Sequence, residues 1–554
     1  MTSDLRRQVA QLLVVRGSGH WSDGQRRYPR WELPNAKLHR LLDAGVGGVI
    51  LLGGSAAELR LRTDQLRRWA DGPLLLCADV EEGVGQRFEG ASWLVPPLAV
   101  GRLHGRDPQR AAALAERYGR CTGRQARLLG LNWVLGPVCD VNNNPANPVI
   151  NVRAWGEDPA TAGALAAAFV RGCQGAGVLA CAKHFPGHGD TSTDSHLELP
   201  LLPHSRARLE VVELPPFRAA IAAGVAAVMT AHLQLPALDP ERPATLSAAV
   251  LEGLLRRDLG FSGLVVTDAL VMEAIAGRHG PSEAAVLAFA AGADLILMPG
   301  DANAAIDGLV AALESGRLPM ERLERSLGRR AAALARLGPA PLEPVDVALD
   351  GLVSAEEQAL SRELLELSLE LGGTPDTLPA ATKALISTPV PLAPSPALPA
   401  GPGVNLIRLD TALTCPFLPA MAPALLRPTA AGYGACLLEG RSPSPWSRDP
   451  QAPLALERLP AGPVLLQLFV RGNPFRGSAG GDEPWPAALA QLLAAGRLAG
   501  LAIYGSPYLW EQLRPLVPAG IPAAFSPGQM PQAQALLLER LGLAAAALEG
   551  GFTD

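Results

Sequence analysis

Short apolar runs alternate with longer amphipathic stretches over roughly the first 340 residues of the chain. The runs are almost continuously apolar, which is typical of parallel strands that are buried on both faces. The longer stretches, such as 110–129, 161–173 and 282–291, repeat their apolar positions with the period of a helix. The strand-like runs lie at 11–16, 46–52, 74–79, 133–138, 178–184, 226–231, 264–268 and 294–298.

Eight buried strands that alternate with helices over about 300 residues predict an α/β fold of the (β/α)8 TIM-barrel type. A doubly wound open sheet is the competing interpretation, because hydrophobic periodicity does not show whether a sheet closes on itself. We assign residues 1–340 to a catalytic barrel.

The composition changes after Pro341. A helix-like stretch at 355–371 is followed by a passage that carries six prolines between 389 and 402, and prolines interrupt regular structure. This pattern predicts a helical and Pro-rich linker at 341–380 and a smaller C-terminal α/β domain at 381–554. The domain prediction depends on strand-like runs at 385–387, 405–409, 464–470 and 501–504 and on a helical stretch at 532–541.

The composition also excludes several classes of protein. Hydrophobic residues make up 48% and charged residues 18% of the 554 positions, as in globular chains. The net charge of −5 leaves no basic excess for binding phosphates, so we expect no nucleic-acid partner. No run approaches the roughly 18 apolar residues of a spanning helix, and the N-terminal stretch reads as an amphipathic helix and not as a signal peptide. We therefore expect no membrane association.

The seven cysteines are odd in number and spread along the chain, and Cys77, Cys139 and Cys181 stand in apolar runs. Buried free thiols in a reducing compartment fit this pattern better than a set of disulfides. The expected location is the cytoplasm.

Charged side chains stand where three of the predicted strands end. Asp79 ends the third run, with Arg87 in the loop beyond it, Lys183 and His184 end the fifth run, and Asp268 ends the seventh. In a barrel, residues at the carboxyl ends of strands point into one shared mouth. A single aspartate of this kind could be a helix cap, but three strands that end in charged residues predict a functional site.

The segment 183–196, KHFPGHGDTSTDSH, concentrates histidines and aspartates in a loop whose proline and glycines interrupt a helix. Two chemistries suit it. The imidazoles and carboxylates could bind a divalent metal. Alternatively, Asp194 could orient His196 and raise its basicity for general acid/base catalysis. Composition alone does not choose between these two readings, and the candidate metal ligands are His184, His188, Asp190, Asp194 and His196.

This segment, followed by TDALVMEA at 267–274, resembles glycoside hydrolase family 3, and within it the β-N-acetylglucosaminidase branch. The resemblance spans roughly residues 10–335 and includes further blocks at 79–88 (DVEEGVGQRF), 132–140 (NWVLGPVCD) and 147–159 (NPVINVRAWGEDP). A weaker resemblance, around 501–508 and 529–532, is to the sandwich-like α/β domain that many members carry after the barrel.

The resemblance implies a role for each matching residue. Asp268 matches the nucleophile that forms a covalent glycosyl-enzyme, and a carboxylate there suits an oxocarbenium-like transition state. His196, oriented by Asp194, matches the acid/base. The sugar-binding positions of the family match Asp79, Arg87, Arg153, Lys183 and His184.

For several of these residues a purely structural role is the alternative hypothesis. Arg153 could form a structural ion pair with Glu157 or Asp158, and Lys183 with His184 could belong to a buried network behind the site. His188 and Asp190 fit a role in stabilising the loop better than a catalytic one. His232 fits a core histidine with both ring nitrogens hydrogen-bonded as well as it fits a residue of the mouth.

Two departures from the family pattern lie beside sugar-binding positions. Val80, Glu81 and Glu82 replace the usual Gln-Glu-Gly, and Ala154 and Trp155 replace Ser-Phe. These changes bear on substrate preference more than on the chemistry.

The expected activity is hydrolysis of terminal β-linked N-acetylglucosamine by a retaining exo-acting enzyme. The resemblance implies a small carbohydrate or muropeptide substrate from peptidoglycan fragments, and neither a metal nor an organic cofactor. The alternatives are a β-glucosidase or an N-acetylglucosamine phosphorylase on the same scaffold, a metal-dependent hydrolase built on the His-rich loop, and a sugar-binding protein without activity. The sequence leaves the aglycone, the oligomeric state and the role of the C-terminal domain open.

Overall fold

The computed structural model describes residues 2–194, 198–339, 349–372, 397–410, 418–439, 442, 444–471 and 483–543. The chain forms two compact units, and the division between them falls between residues 362 and 363. The domain limits at 340 and 380 stay predictions, because residues 340–348 and 373–396 lie outside the described residues.

The first unit contains an eight-stranded parallel sheet. Its strands are β1 (Leu13–Ser18), β2 (Gly48–Leu52), β3 (Leu75–Ala78), β4 (Trp133–Val134), β5 (Leu179–Phe185), β6 (Ala227–Thr230), β7 (Leu264–Val266) and β8 (Ile296–Leu297). Consecutive strands from β1 to β7 pair side by side, and β1 also pairs with β8. Val266 bridges to Leu295 between β7 and β8, so the sheet closes. The predicted barrel is confirmed, and the open-sheet interpretation is wrong.

Helices precede, connect and follow the strands, and the last of them spans the division between the two units. They are α1 (Thr2–Ala10), α2 (Asn35–Asp43), α3 (Ala56–Trp69), α4 (Pro97–His104), α5 (Pro108–Leu128), α6 (Pro159–Gly175), α7 (Arg206–Val211), α8 (Pro215–Ala222), α9 (Glu273–Ala276), α10 (Pro281–Ala291), α11 (Ala302–Glu314), α12 (Met320–Leu334) and α13 (Ala355–Ser368), with one more helix at Ala249–Asp258. The starts of α5 and α6 are set by Asp107 and Asp158, whose carboxylates accept hydrogen bonds from first-turn amides. Within the described part of the chain, every helix is too short or too polar to cross a membrane.

Strand β5 shows how the sequence positions the candidate site. All seven of its residues are buried, as expected for a strand that helices cover on one side and the barrel interior on the other. Its last residues include Lys183 and His184, so both reach the carboxyl end of the barrel. Asp79 directly follows β3, and Asp268 follows β7 by two residues. Because all eight strands are parallel, these side chains meet at one mouth.

The opposite end of the barrel holds a buried carboxylate among three arginines. Asp294 is fully buried just before β8, and its side chain accepts hydrogen bonds from Arg256 (2.5 Å), Arg322 (3.2 Å) and Arg329 (2.9 Å). The hydroxyl of Ser326 and the amide of Val265 complete its contacts at 2.7 and 3.0 Å. This cluster ties the strand ends to α12 and to the helix at 249–258. Its position, away from the mouth, indicates a structural role.

The second unit is an α/β domain around a six-stranded sheet. Its strands are β9 (Glu370–Leu371), β10 (Gly403–Asp410), β11 (Tyr433–Leu438), β12 (Val464–Val470), β13 (Leu498–Gly505) and β14 (Ala523–Ser526), in the spatial order β11-β10-β12-β13-β14-β9. Only the β14–β9 pair among these neighbours is antiparallel. The helices are α14 (Pro423–Ala430), α15 (Trp485–Ala494), α16 (Pro507–Leu513) and α17 (Pro531–Arg540).

The predicted α/β domain is confirmed, with strands over 405–409, 464–470 and 501–504 and with a helix at Pro531–Arg540 where 532–541 was predicted. The run predicted at 385–387 lies outside the described residues. Strands β9, β11 and β14 are present but have no counterpart among the predicted runs. The helix predicted at 355–371 ends at Ser368, and β9 occupies the end of that stretch.

Candidate active site

The mouth of the barrel contains a chain of ion pairs that joins two carboxylates to two cations. The Nζ of Lys183 lies 2.7 Å from Asp79 Oδ1 and 2.6 Å from Glu81 Oε1. Arg153 donates to both oxygens of Glu81, at 2.7 and 2.8 Å. Lys183 and Glu81 are buried, whereas the side chain of Asp79 is 37% exposed. The network therefore places buried charges next to Asp79, the one of its two carboxylates that solvent can reach.

Burial alone would raise the pKa of Glu81, but the charges of Arg153 and Lys183 outweigh it and hold this pKa well below its usual value. Burial would lower the pKa of Lys183, and the charges of Asp79 and Glu81 outweigh that effect in turn, so the pKa is raised. The pKa of Arg153 is raised as well, because Glu81 overcomes the effect of burial. All three groups are therefore charged at neutral pH.

Asp140, at the loop that follows β4, holds the end of β5 in place. Its carboxylate accepts from the Nδ1 of His184 at 2.8 Å and from the backbone amides of His184 and His188, the latter at 2.7 Å. Burial would raise the pKa of Asp140, but the adjacent His184 and His188 lower it. A carboxylate on Nδ1 fixes the orientation of the His184 ring, as is common for functional histidines.

Asp268 is half-buried, and its Oδ1 accepts from the backbone amide of Ala269 at 2.7 Å. The backbone beside it is held by His232, which is fully buried. The Nδ1 of His232 lies 2.8 Å from the hydroxyl of Thr245, and its Nε2 lies 3.1 Å from the carbonyl oxygen of Ala269. Both ring nitrogens have partners, which is the arrangement of a satisfied core histidine that supports the segment after Asp268.

The predicted acid/base pair lies in the loop between β5 and α7. Asp194 is buried, and its carbonyl oxygen accepts from the amide of Glu198 at 3.1 Å. His196 lies outside the described residues, so the Asp194–His196 dyad stays a prediction. Arg87 lies on the loop after β3, and its Nε donates to the carbonyl oxygen of Asp79 at 3.0 Å.

Within the described part of the 183–196 loop, His184 and His188 face different partners and form no metal site. His184 faces Asp140, and the Nδ1 of His188 lies 2.8 Å from the hydroxyl of Thr191. Burial lowers the pKa of His188 to about 4, so this ring is neutral at physiological pH. Asp190 instead pairs with His204 and, with Glu213, makes the one group of three potential metal ligands among the described residues.

Arg153 forms a structural ion pair, but the partners named in the sequence-based alternative are wrong. Its partner is Glu81, which lies 72 residues away in the chain. Glu157 pairs with Arg102 at 3.2 Å, and Asp158 accepts from the amide of Thr161 as the cap of α6. Arg153 lies at the mouth beside Lys183, and its Nη1 also donates to the carbonyl oxygen of Val149 at 2.9 Å. Its role in binding sugar stays a prediction.

Sequence reasoning does not single out Glu81 and Asp140, although both order the mouth. The available signal is that each is an acidic residue in a block that carries the family resemblance, two positions beyond a predicted strand. The departures at Glu82 and Trp155 point into the protein. Glu82 accepts from the indole of Trp93 at 2.9 Å, and Trp155 is buried against Tyr118.

The loop after β1 adds arginines and aromatic rings to the same end of the barrel. The guanidinium of Arg16 lies 5.3 Å from the ring centre of Tyr28 and 6.0 Å from that of Trp31. Arg27 and Arg30, both exposed, lie over the same two rings at 5.8 and 5.9 Å. These contacts hold the guanidinium groups over rigid rings.

This loop borders the loop that follows Asp79. Gly19 is so close to it that a Cβ there would lie 2.9 Å from the ring of Phe88, next to Arg87. Burial lowers the pKa of Arg16, and the charges of Glu32 and Asp79 oppose this, so Arg16 is within electrostatic reach of the site carboxylate. The arginines therefore lie on the rim of the mouth.

The depressed pKa of Glu81 predicts how stability changes in acid. Its charge stabilises the fold above its unfolded pKa of about 4.5, and this contribution is lost as the pH falls through the lower folded value. We expect Glu81→Gln to lower the free energy of unfolding by about 3 kcal/mol at pH 7. The difference from wild type should shrink as the pH falls below 4.5.

Urea unfolding between pH 7 and pH 3 measures this, with Glu314→Gln on the exposed face of α11 as the matched control. A difference between Glu81→Gln and wild type that stays constant across this range would show that the charge of Glu81 is not what stabilises the site.

Comparison with known proteins agrees with the fold. The family model described as the glycosyl hydrolase family 3 N-terminal domain matches residues 4–332, and the model described as the bacterial glycosyl hydrolase family 3 C-terminal domain matches residues 399–542. The chain belongs to glycoside hydrolase family 3.

Among its relatives, β-hexosaminidase A of Pseudoalteromonas piscicida is 35% identical over 323 residues, which are 53% of this chain and 54% of that protein. The β-N-acetylglucosaminidase/β-glucosidase of Cellulomonas fimi is 34% identical over 338 residues, 59% of each. The chain thus spans little more than half the length of these relatives. A family 3 β-N-acetylglucosaminidase from Paenibacillus sp. str. FPU-7 has a solved structure with a TM-score of 0.73 and 31% identity, covering 98% of this chain and 97% of that one.

Proposed function

We propose that the protein is a retaining exo-β-N-acetylglucosaminidase with Asp268 as its nucleophile. The observation that carries the proposal is the position of Asp268, a half-buried carboxylate at the end of a barrel strand, at the same mouth as the Asp79–Lys183–Glu81–Arg153 ion pairs. The names of the relatives, β-hexosaminidases and a β-N-acetylglucosaminidase, support the choice of sugar.

In the proposed first step, a carboxylate oxygen of Asp268 attacks the anomeric carbon of the terminal sugar. The bond from that carbon to the aglycone oxygen breaks, and the departing oxygen takes a proton from the imidazolium of His196. The product of this step is a covalent glycosyl-enzyme.

In the second step, the neutral His196 takes a proton from water, whose oxygen attacks the anomeric carbon and releases Asp268. Two inversions give net retention. The unperturbed pKa of histidine, about 6.5, suits both roles near neutral pH, and the buried Asp194 would orient the ring.

The remaining site residues would hold the sugar. Asp79 would accept hydrogen bonds from sugar hydroxyls, and the cations Lys183, Arg153 and Arg87 would donate to sugar oxygens. Because Glu81 neutralises part of the charge of Lys183 and Arg153, these donors stay fixed before the substrate arrives. His184, oriented by Asp140, would contribute one more group whose position is set in advance.

Hydrolysis of β-glucosides is the second candidate activity, because the relative from Cellulomonas fimi carries both activities in its name. Phosphorolysis is the third candidate activity of the same site, since a neutral histidine as the base repels an incoming phosphate less than a carboxylate would.

A peptidoglycan fragment is the proposed natural substrate, with an aglycone that carries carboxylates. The support is the arginine-rich rim, where Arg27 and Arg30 are exposed beside the mouth and Arg16 lies behind them. We place the enzyme in the cytoplasm. This location is supported by the six cysteines in the described residues, which are free thiols, five of them buried, as is usual in a reducing compartment.

The test is hydrolysis of an aryl β-N-acetylglucosaminide beside the matching β-glucoside, with and without phosphate, followed by a muropeptide disaccharide beside neutral chitobiose. We expect preferential release of N-acetylglucosamine, no dependence on phosphate, and a higher kcat/KM for the muropeptide. A preference for the glucoside would contradict the assigned sugar, and release of sugar 1-phosphate would contradict hydrolysis. Equal kcat/KM for the two disaccharides would contradict the proposed peptidoglycan substrate but not the proposed reaction.

A further inference from the structure

The loop that carries Asp194 leaves the barrel after β5 and returns at α7, and its two ends are anchored separately. On the outgoing side, Asp140 holds the backbone amides of His184 and His188, and the side-chain amide of Asn147 donates to the carbonyl oxygens of His188 and Gly189 at 2.9 and 2.8 Å. The segment is therefore fixed as far as residue 189.

The returning side is held by the loop after β6. The amide of Leu202 donates to the carbonyl oxygen of Gln234, and the amide of Gln234 donates to that of Pro200, both at 2.9 Å. The stretch 191–199, named here the acid/base loop, joins these two anchored segments, and its residues 191–194, 198 and 199 are described. Asp194 and His196 lie near its middle.

A cluster of four side chains joins the two ends directly. The Oδ2 of Asp190 accepts from the Nε2 of His204 at 2.9 Å and from the Nη2 of Arg208 at 3.2 Å. The same Nη2 of Arg208 lies 3.3 Å from Glu213 Oε1. Asp190 stands before the loop, and the other three residues stand after it. We name these four residues the clamp.

Glu213 anchors the clamp at a buried position between α7 and α8. Its side chain is only 3% exposed, and it packs on the outgoing strand end, since a Cβ on Gly187 would lie 2.8 Å from the Cβ of Glu213. The fixed carboxylate positions Arg208, which in turn positions Asp190. The Asp190, His204 and Arg208 side chains keep 25–34% of their surface exposed, so these contacts face the solvent side of the loop.

Asp190, His204 and Glu213 are residue types that bind metals, but the positive charge of the Arg208 side chain already lies between the two carboxylates. The guanidinium of Arg208 contacts both carboxylates, and a divalent ion at the same place would meet its positive charge at close range. The cluster is a salt-bridged tie between the two chain segments.

We propose that the clamp holds the described ends of the acid/base loop, so that the link from His204 to Asp190 places Asp194 for the transfer of a proton to the glycosidic oxygen. This inference rests on the proposed function, in which Asp194 and His196 supply that proton. Proton transfer needs its groups within hydrogen-bond distance, and a displacement of about 1 Å can cost a hundredfold in rate. His204 is thus a positioning residue and touches no substrate.

The test uses His204→Ala and two substrates that differ in their need for a proton. The phenyl β-N-acetylglucosaminide has a poor leaving group and requires the acid, whereas the 2,4-dinitrophenyl glycoside leaves without one. For His204→Ala we expect kcat/KM to fall by about 10- to 100-fold with the phenyl substrate, and to stay within about twofold of wild type with the dinitrophenyl substrate, because only general-acid catalysis is weakened.

Further variants distinguish an effect of His204 on the placement of the acid/base from a general loss of folded protein. His204→Gln keeps a donor toward Asp190 and should recover most of the lost kcat/KM, and Asp190→Asn should repeat the leaving-group signature of His204→Ala. His39→Ala, on the exposed face of α2, is the matched control and should behave as wild type. Loss of kcat/KM that is equal for the two substrates, or no loss with either, would overturn the clamp.

His196→Ala distinguishes failure of the clamp from failure of the proposed mechanism. If His196→Ala shows the leaving-group signature and His204→Ala does not, only the clamp is wrong. If His196→Ala also lacks the signature, the assigned acid/base is wrong, and the role proposed for the clamp falls with it.

Discussion

Asp268→Asn should abolish turnover of aryl β-N-acetylglucosaminides, with kcat/KM lower by about 10⁴-fold or more. The amide has nearly the shape of the carboxylate but cannot form the glycosyl-enzyme, and it removes the negative charge that stabilises the oxocarbenium-like transition state. The fold should be unaffected. The carbonyl oxygen of the new side chain can still accept from the amide of Ala269, which is the hydrogen bond that Asp268 Oδ1 accepts.

Initial rates for wild type and Asp268→Asn measure this effect, and thermal unfolding shows that both are folded. Asp307→Asn on α11 is the matched control, because it makes the same chemical change at an exposed position away from the mouth. An Asp268→Asn variant with activity close to that of wild type would remove Asp268 from the mechanism.

Asp294→Asn should lower the free energy of unfolding by about 3–5 kcal/mol, which is a large part of the stability of an ordinary domain. The substitution removes the negative charge that faces Arg256, Arg322 and Arg329 and leaves buried cations without a counterion. Because Asp294 lies at the far end of the barrel from Asp268, the protein that remains folded should keep its kcat/KM.

Urea denaturation measures the loss, and Asp307→Asn again controls for a change of aspartate to asparagine. A loss below about 1 kcal/mol, the value expected for an exposed ion pair, would show that the arginines find other partners and that the cluster is not a main support of the barrel.

The eight barrel strands could be predicted because each is buried on both faces, so its apolar run is not interrupted by the polar positions of a half-exposed strand. Strand β11 lies at the edge of its sheet, and of its six residues only Tyr433 and Leu438 are buried. Such a strand carries a weak hydrophobic signal. Strand β14 has only four residues and directly follows the segment that contains Pro522, so its apolar run is too short to stand out.

At the candidate site, strand ends were sufficient to predict that Asp79, Lys183 and Asp268 share one mouth. They were not sufficient to predict which charges pair. Arg153 has acidic neighbours within five residues, yet it pairs with Glu81, because the loops after β3 and β4 converge at the mouth and no local pattern records that approach. The clamp was missed for the same reason, since Asp190 and His204 meet only after the loop between them has turned back.

Trapping of the glycosyl-enzyme tests the central claim most directly. The protein is incubated with 5-fluoro-N-acetylglucosaminyl fluoride, which forms the intermediate faster than it is hydrolysed, and the digested protein is mapped by mass spectrometry. We expect one sugar per chain, attached to Asp268, together with loss of activity. An active wild-type enzyme that acquires no label, or that carries it on another residue, would contradict the proposed nucleophile and the mechanism built on it.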